Sequence, residues 1–142
     1  MNFAMLESAI SSFVWGMINT DQMLGQMITA ELSFRNLVGL LSSIYKHRIN
    51  DEERITELER LLNRALYAEE QRNIIAHSSW GVGDKAETIT RFKTTAKKAR
   101  GLIHQFEQMT VEDLDKIADL VGDVAVEIQL FMFNYYDSES KG

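Results

Sequence analysis

Neither cysteine nor proline occurs anywhere in the 142 residues. Without cysteine there is no disulfide framework and no thiolate-held metal, which suits a chain kept in a reducing cytoplasm. Basic residues are missing from the beginning: no lysine or arginine precedes Arg35, and Glu7 interrupts the stretch where a secretory leader would be apolar. No apolar run approaches the roughly 20 residues that a membrane-crossing helix requires. The chain is therefore expected in the cytoplasm, with no membrane partner. P-loop, glycine-rich nucleotide fingerprint and zinc spacing are all absent. No histidine stands three residues after a glutamate, the pair that stacks two ligands of a di-iron centre on one helix face. No metal and no cofactor are expected.

What is present reads as one domain spanning 1–142. A chain of this length buries roughly two-thirds of its unfolded surface in a single core, and 45% hydrophobic with 25% charged residues is an ordinary globular composition. The net charge of −6 argues against broad, non-specific nucleic-acid affinity, which comes from basic side chains displacing counterions. The charge is uneven, however. From Arg91 to Arg100 the sequence RFKTTAKKAR carries Arg91, Lys93, Lys97, Lys98 and Arg100 with no acid among them. It is either a solvated positive face or a patch that meets an anionic partner such as RNA.

The apolar spacing is helical almost throughout. Phe3, Leu6, Ile10, Phe13, Val14 and Met17 recur at intervals of three and four, which makes one buried helix face. Asn19-Thr20-Asp21 then offers a cap for a second pattern. That pattern runs through Met23, Leu24, Met27, Ile28, Leu32, Leu37, Leu40, Leu41 and Ile44 to about Arg48, as one long helix or two short ones breaking near Ser33. Asn50 or Asp51 caps the next helix, with Glu52 and Glu53 in its first turn where they complement the helix dipole. Its stripe of Ile55, Leu58, Leu62 and Ala65 continues at the same spacing onto Glu69, Arg72 and Ala76, so the core face turns polar there. Charged side chains are rarely buried unpaired, and this end is expected to face a cleft, a partner group or another subunit.

Beyond it, Ser79-Trp80-Gly81-Val82-Gly83-Asp84 reads as a loop, with Trp80 anchoring it to the core. Residues 86–95 alternate weakly and suit a short extended arm or hairpin, whereas 96–108 stay open between extended and helical. Thr110-Val111-Glu112-Asp113 is a close variant of a capping box. The helix it opens carries Leu114, Ile117, Val121, Val124, Ile128, Phe131 and Tyr135, and a second row of Leu120, Leu130 and Phe133 is expected to widen its buried arc. Such a helix is central in its own bundle or shared with a second copy. The fold expected is all-α, a bundle of four to five helices.

Chemistry concentrates where the polar end of that stripe meets the glycines. Arg72 and His77 are five residues apart, which separates them by about 140° on an ideal helix. Asn73 and His77, four apart, lie one above the other, so Asn73 can orient the imidazole while Arg72 reaches round on its long stem. Convergence on one substrate needs a kink near Ala76 or a second copy of the helix across a two-fold axis. A histidine near neutral pKa can take a proton from a ribose 2′-hydroxyl or give one to the leaving 5′-oxygen, and a guanidinium fork holds the charge that builds on phosphorus.

The segment Arg72-Asn73-Ile74-Ile75-Ala76-His77 resembles the HEPN superfamily, whose signature is an arginine followed after four to six residues by a histidine, commonly with asparagine directly after the arginine. The resemblance implies an all-helical bundle that dimerises. It also implies metal-independent endoribonuclease activity of the toxin or anti-phage kind, with Arg72, Asn73 and His77 as the site and an antitoxin or other neutralising protein as a partner. Branches paired with a minimal nucleotidyltransferase antitoxin often carry tyrosine two positions after the histidine. This chain has Ser79 there, a departure from the pattern that mode of regulation uses. The rival expectation is a non-catalytic dimerisation or nucleotide- or RNA-binding module, and a third is a structural subunit of a larger assembly, suggested by the apolar final helix.

Overall fold

A computed structural model describes residues 3–76, 79–82, 88–97 and 101–141, with side chains for 3–76 and 110–141. Five helices are described: α1 (Phe3–Ile18), α2 (Gln22–Ala30), α3 (Phe34–Arg48), α4 (Glu52–Ala76) and α5 (Val111–Lys141). The bundle is the expected one. Three antiparallel strands, β1 (Ser79–Val82), β2 (Thr88–Lys97) and β3 (Gly101–Thr110), lie between α4 and α5 in the chain and form one sheet in the order β1-β2-β3.

Helix boundaries follow local hydrogen-bond chemistry. Asn19 closes α1 at φ 52°, a left-handed conformation that asparagine tolerates. Two residues later the Asp21 carboxylate accepts from the Leu24 backbone N–H at 2.8 Å and opens α2. Ser33 does the same for α3, accepting from Asn36 N–H at 3.1 Å, so the long second pattern resolves into two helices at the expected break. Asp51 caps α4 through Glu53 and Arg54 N–H. At α5 the capping box is reciprocal: Asp113 N–H donates to Thr110 Oγ1 at 3.1 Å, and Thr110 N–H donates to Asp113 Oδ2 at 3.0 Å.

Four of the helices close a ring. α1 packs on α3 and α5, and α4 completes the circle by packing on the same two. Leu6, Ile10, Phe13, Val14 and Met17 of α1 meet Leu37, Leu41 and Tyr45 of α3, Leu58, Leu61 and Leu62 of α4, and Val121, Val124 and Ile128 of α5, all buried. Polar ties reinforce the seams, with Ser42 and Lys46 of α3 on Glu59 of α4, and Arg64 of α4 on Glu127 of α5. Arg54 near the start of α4 donates to Ser138 near the end of α5, so these two helices run antiparallel.

Two expectations are corrected and one open alternative is resolved. The second row of α5 does not widen the buried arc: Leu120 packs against the core, but Leu130 and Phe133 are 56% and 60% exposed, because they project opposite the face that meets α1 and α4. Ser79–Val82 is a strand where a loop was read, since pairing with β2 supplies the backbone partners that its glycine alone would not. Residues 96–108 are not helical wherever they are described, but belong to β2 and β3, paired over ten register positions from Thr88↔Thr110 to Lys97↔Gly101. Gly83 and Asp84 of the predicted loop and the Trp80 side chain lie outside the described residues.

α2 sits apart from the ring. Gly25 is its one buried residue, and a Cβ there would come within 2.6 Å of the Trp15 ring. Trp15 Nε1 also donates to Thr29 Oγ1 at 3.2 Å. Met23, Leu24, Met27 and Ile28, read as part of one apolar pattern, are exposed. Periodicity marks a face as apolar without saying what covers it.

Candidate functional site

α4 loses its apolar face in its last two turns. Leu58, Leu61, Leu62, Ala65 and Ala68 are buried, and the next residues on that side, Glu69 and Arg72, are half-buried against the N-terminal ends of α1 and α3. Arg72 lies with its guanidinium carbon 4.3 Å from the centroid of the Phe3 ring, a cation–π contact. Phe3 is itself held by Phe34 at the start of α3, the ring centroids 4.9 Å apart. Arg72 Nη1 donates to Asn73 Oδ1 at 3.0 Å. The guanidinium is thus fixed on one side by an aromatic face and on another by the neighbouring amide.

Glu69 completes the cluster. Its Oε2 is buried with no hydrogen-bond partner. Burial pushes its carboxyl above the ordinary glutamate range, the positive charges of Arg35 and Arg72 oppose that, and Glu7 adds to it. Two guanidiniums and two carboxylates therefore gather at this end of the bundle. A raised folded-state pKa means that folding disfavours the ionised form. The stability penalty is absent below the ordinary glutamate value of about 4.3, and is complete once the pH has risen through the raised value. Glu69→Gln is expected to raise the melting midpoint at pH 7 by about 2 °C, and the gain should vanish when the same melts are run near pH 4. A gain independent of pH would exclude this account.

The sequence motif is placed in part. Arg72 and Asn73 are brought together side by side, whereas His77 lies outside the described residues. Of the basic segment, Arg91, Lys93 and Lys97 fall on β2, and Lys98 and Arg100 lie outside. β1 begins three residues after α4 ends, and its register pairs Ser79 with Phe92 and Trp80 with Arg91. Neighbouring strands are about 4.8 Å apart. The backbone at Arg91 is consequently alongside Trp80, and Lys93 follows directly after the last paired position, Phe92. Lys97, five positions beyond Phe92 and so about 17 Å along the strand, is opposite Gly101 of β3 instead.

Phe3 and Arg35 were not singled out from the sequence as site residues. Phe3 fits the core pattern of α1 and is indeed buried, so nothing local marks its second role under Arg72. Arg35 carries no motif at all. Among the described residues no group of three His, Cys, Asp or Glu side chains is placed to hold a metal ion, and no helix is long and apolar enough to cross a membrane. Comparison of the chain with protein-family models, with curated proteins and with solved structures gives no match.

Proposed function

We propose that the protein is a metal-independent endoribonuclease of HEPN type, working in the cytoplasm as a homodimer whose composite site is built around the C-terminal end of α4. Arg72 holds the phosphate and the charge that develops on it, His77 moves the proton, and Asn73 orients the pair. The observation that supports the reading is the strand register after the motif: Ser79, three residues past the end of α4, is opposite Phe92, and Trp80 is opposite Arg91, so the basic segment pairs with the strand that follows the motif in an otherwise acidic chain. Arg91 and Lys93 then serve the RNA backbone near the scissile bond, with Lys97, Lys98 and Arg100 further along it. A toxin or anti-phage role with a neutralising partner belongs to the same reading.

The test is direct. Purified protein incubated with single-stranded RNA and a metal chelator should cleave it, and Arg72→Ala should lose that cleavage. An RNA that stays intact at every enzyme concentration would remove the proposal.

The Arg72–Phe3 contact favours a second reading, in which Arg72 staples the open end of the bundle and the protein only binds or dimerises. A cation–π contact is worth about 0.5–2 kcal/mol. On that reading Arg72→Ala and Phe3→Leu lower the melting midpoint alike, and no variant changes any RNA cleavage.

A further inference from the structure

A groove of about 470 Å³ opens between α4 and α5, within the usual range of small-molecule pockets. Leu61 and Phe131 line it together with Tyr45 of α3 and Tyr135 of α5, the Tyr45 ring 5.4 Å from Phe131 and 5.8 Å from Tyr135. Tyr45 and Tyr135 are 1% and 7% exposed, yet neither phenol has a hydrogen-bond partner among the described residues. Leaving a buried polar group unmet is costly. The one fully enclosed side-chain atom without a partner among those residues is Glu69 Oε2, so both phenol oxygens reach open space, and the cavity that both rings line is this groove. Burial pushes the Tyr45 phenol above its ordinary range, so it keeps its proton and can donate. Asn134 adds an exposed carboxamide to the lining, also without a partner among the described residues. The charges on the rim, in contrast, are paired. Arg60 meets Glu57 at 2.8 Å, Arg54 meets Asp51 at 3.6 Å, and Glu127 is held by Arg64. No cation of the lining is left over for a phosphate. Glu139 is a further charge felt at Tyr45, but it is exposed and outside the lining, where solvent screens it too well to hold a cation alone.

We infer that this groove binds an uncharged nucleoside, its base ring on the aromatic lining and its edge held by the Tyr45 and Tyr135 hydroxyls and the Asn134 carboxamide. Each of those three groups can both donate and accept, and the edge of a base offers donors and acceptors side by side. A purely apolar occupant would leave the two phenols unmet. An ion would have to be stripped of water without a free counter-charge to receive it. The groove is separate from the candidate site, because Leu61 lines it and Arg72 is eleven residues further along α4, about 16 Å. Binding here does not require the nuclease activity.

The probes are the four ribonucleosides, titrated one at a time into the full chain by calorimetry. At least one should bind with a Kd of about 0.1 mM, and its 5′-monophosphate should bind at least about tenfold more weakly, because the added charge finds no free cation. Tyr45→Phe and Tyr135→Phe each remove one hydroxyl and keep the ring. Either should weaken the nucleoside by about fivefold or more, with the circular dichroism spectrum unchanged. Gln26→Ala, in the separate cavity between α1, α2 and α3, should leave it as it was. Absence of binding by all four at about 1 mM overturns the inference, as does a monophosphate that binds as well as its nucleoside. Full affinity in both phenylalanine variants overturns it too, and so does tighter binding of tyramine, a phenol ring that carries an ammonium group.

Discussion

Replacing His77 by alanine is expected to slow RNA cleavage by about a hundred- to ten-thousand-fold, with helical content and melting midpoint left where they were. The magnitude is that of losing one positioned proton donor or acceptor, which in this chain would serve the ribose 2′-hydroxyl or the departing 5′-oxygen. Arg72→Ala should differ in kind. It removes the group that holds charge on phosphorus, and it also strips a cation from the Phe3 ring and a donor from Asn73. Cleavage should fall together with stability, the latter by about 1 kcal/mol. A rate within about twofold of the parent protein for His77→Ala, measured on the same RNA with chelator present, would leave the histidine without a role. Arg72→Lys separates the two jobs further: an ammonium can still lie over an aromatic ring, but it lacks the planar fork that matches a phosphate. Stability should recover more than cleavage does.

The second large effect is structural. Phe13→Ala should cost about 3–5 kcal/mol, a large share of the 5–15 kcal/mol that holds a typical domain together. Phe13 is fully buried, and its ring is met by Tyr45 of α3 at 6.1 Å and by Phe131, Tyr135 and Tyr136 of α5 at 6.1, 5.6 and 6.1 Å. Its backbone carbonyl also accepts from the Tyr136 hydroxyl. Truncation empties the space where three helices of the ring converge, and the aromatic neighbours are too rigid to refill it. The melting midpoint should fall by more than about 10 °C, while Phe13→Leu, nearer in volume, should lose under about half of that. A shift of only a degree or two for Phe13→Ala would mean that the ring does not close around this residue.

Much of the helical plan was legible because it is written locally. Asp21, Ser33, Asp51 and Thr110 each satisfy backbone groups within three residues of themselves, and a spacing rule finds such signals without knowledge of the fold. The sheet was less legible. Residues 88–97 and 101–110 mix threonine, lysine and glutamine with few apolar alternations, and what makes them strands is pairing with each other, a non-local term that periodicity does not contain. The outer row of α5 misled for a related reason: apolar spacing identifies a face but not its neighbour. At the candidate site the adjacency of Arg72 and Asn73 was open to reading, and their hydrogen bond follows from it. Phe3 beneath Arg72 was not, since the two meet only when α1 and α4 pack.

The junction between β3 and α5 has no slack. β3 ends at Thr110 and α5 begins at Val111, and the two Thr110–Asp113 hydrogen bonds clamp the bend from both sides. The sheet is thus joined without a linker to a 31-residue helix whose far end lies against the first turn of α4, and Thr110→Ala would remove one of the two bonds that fix the joint.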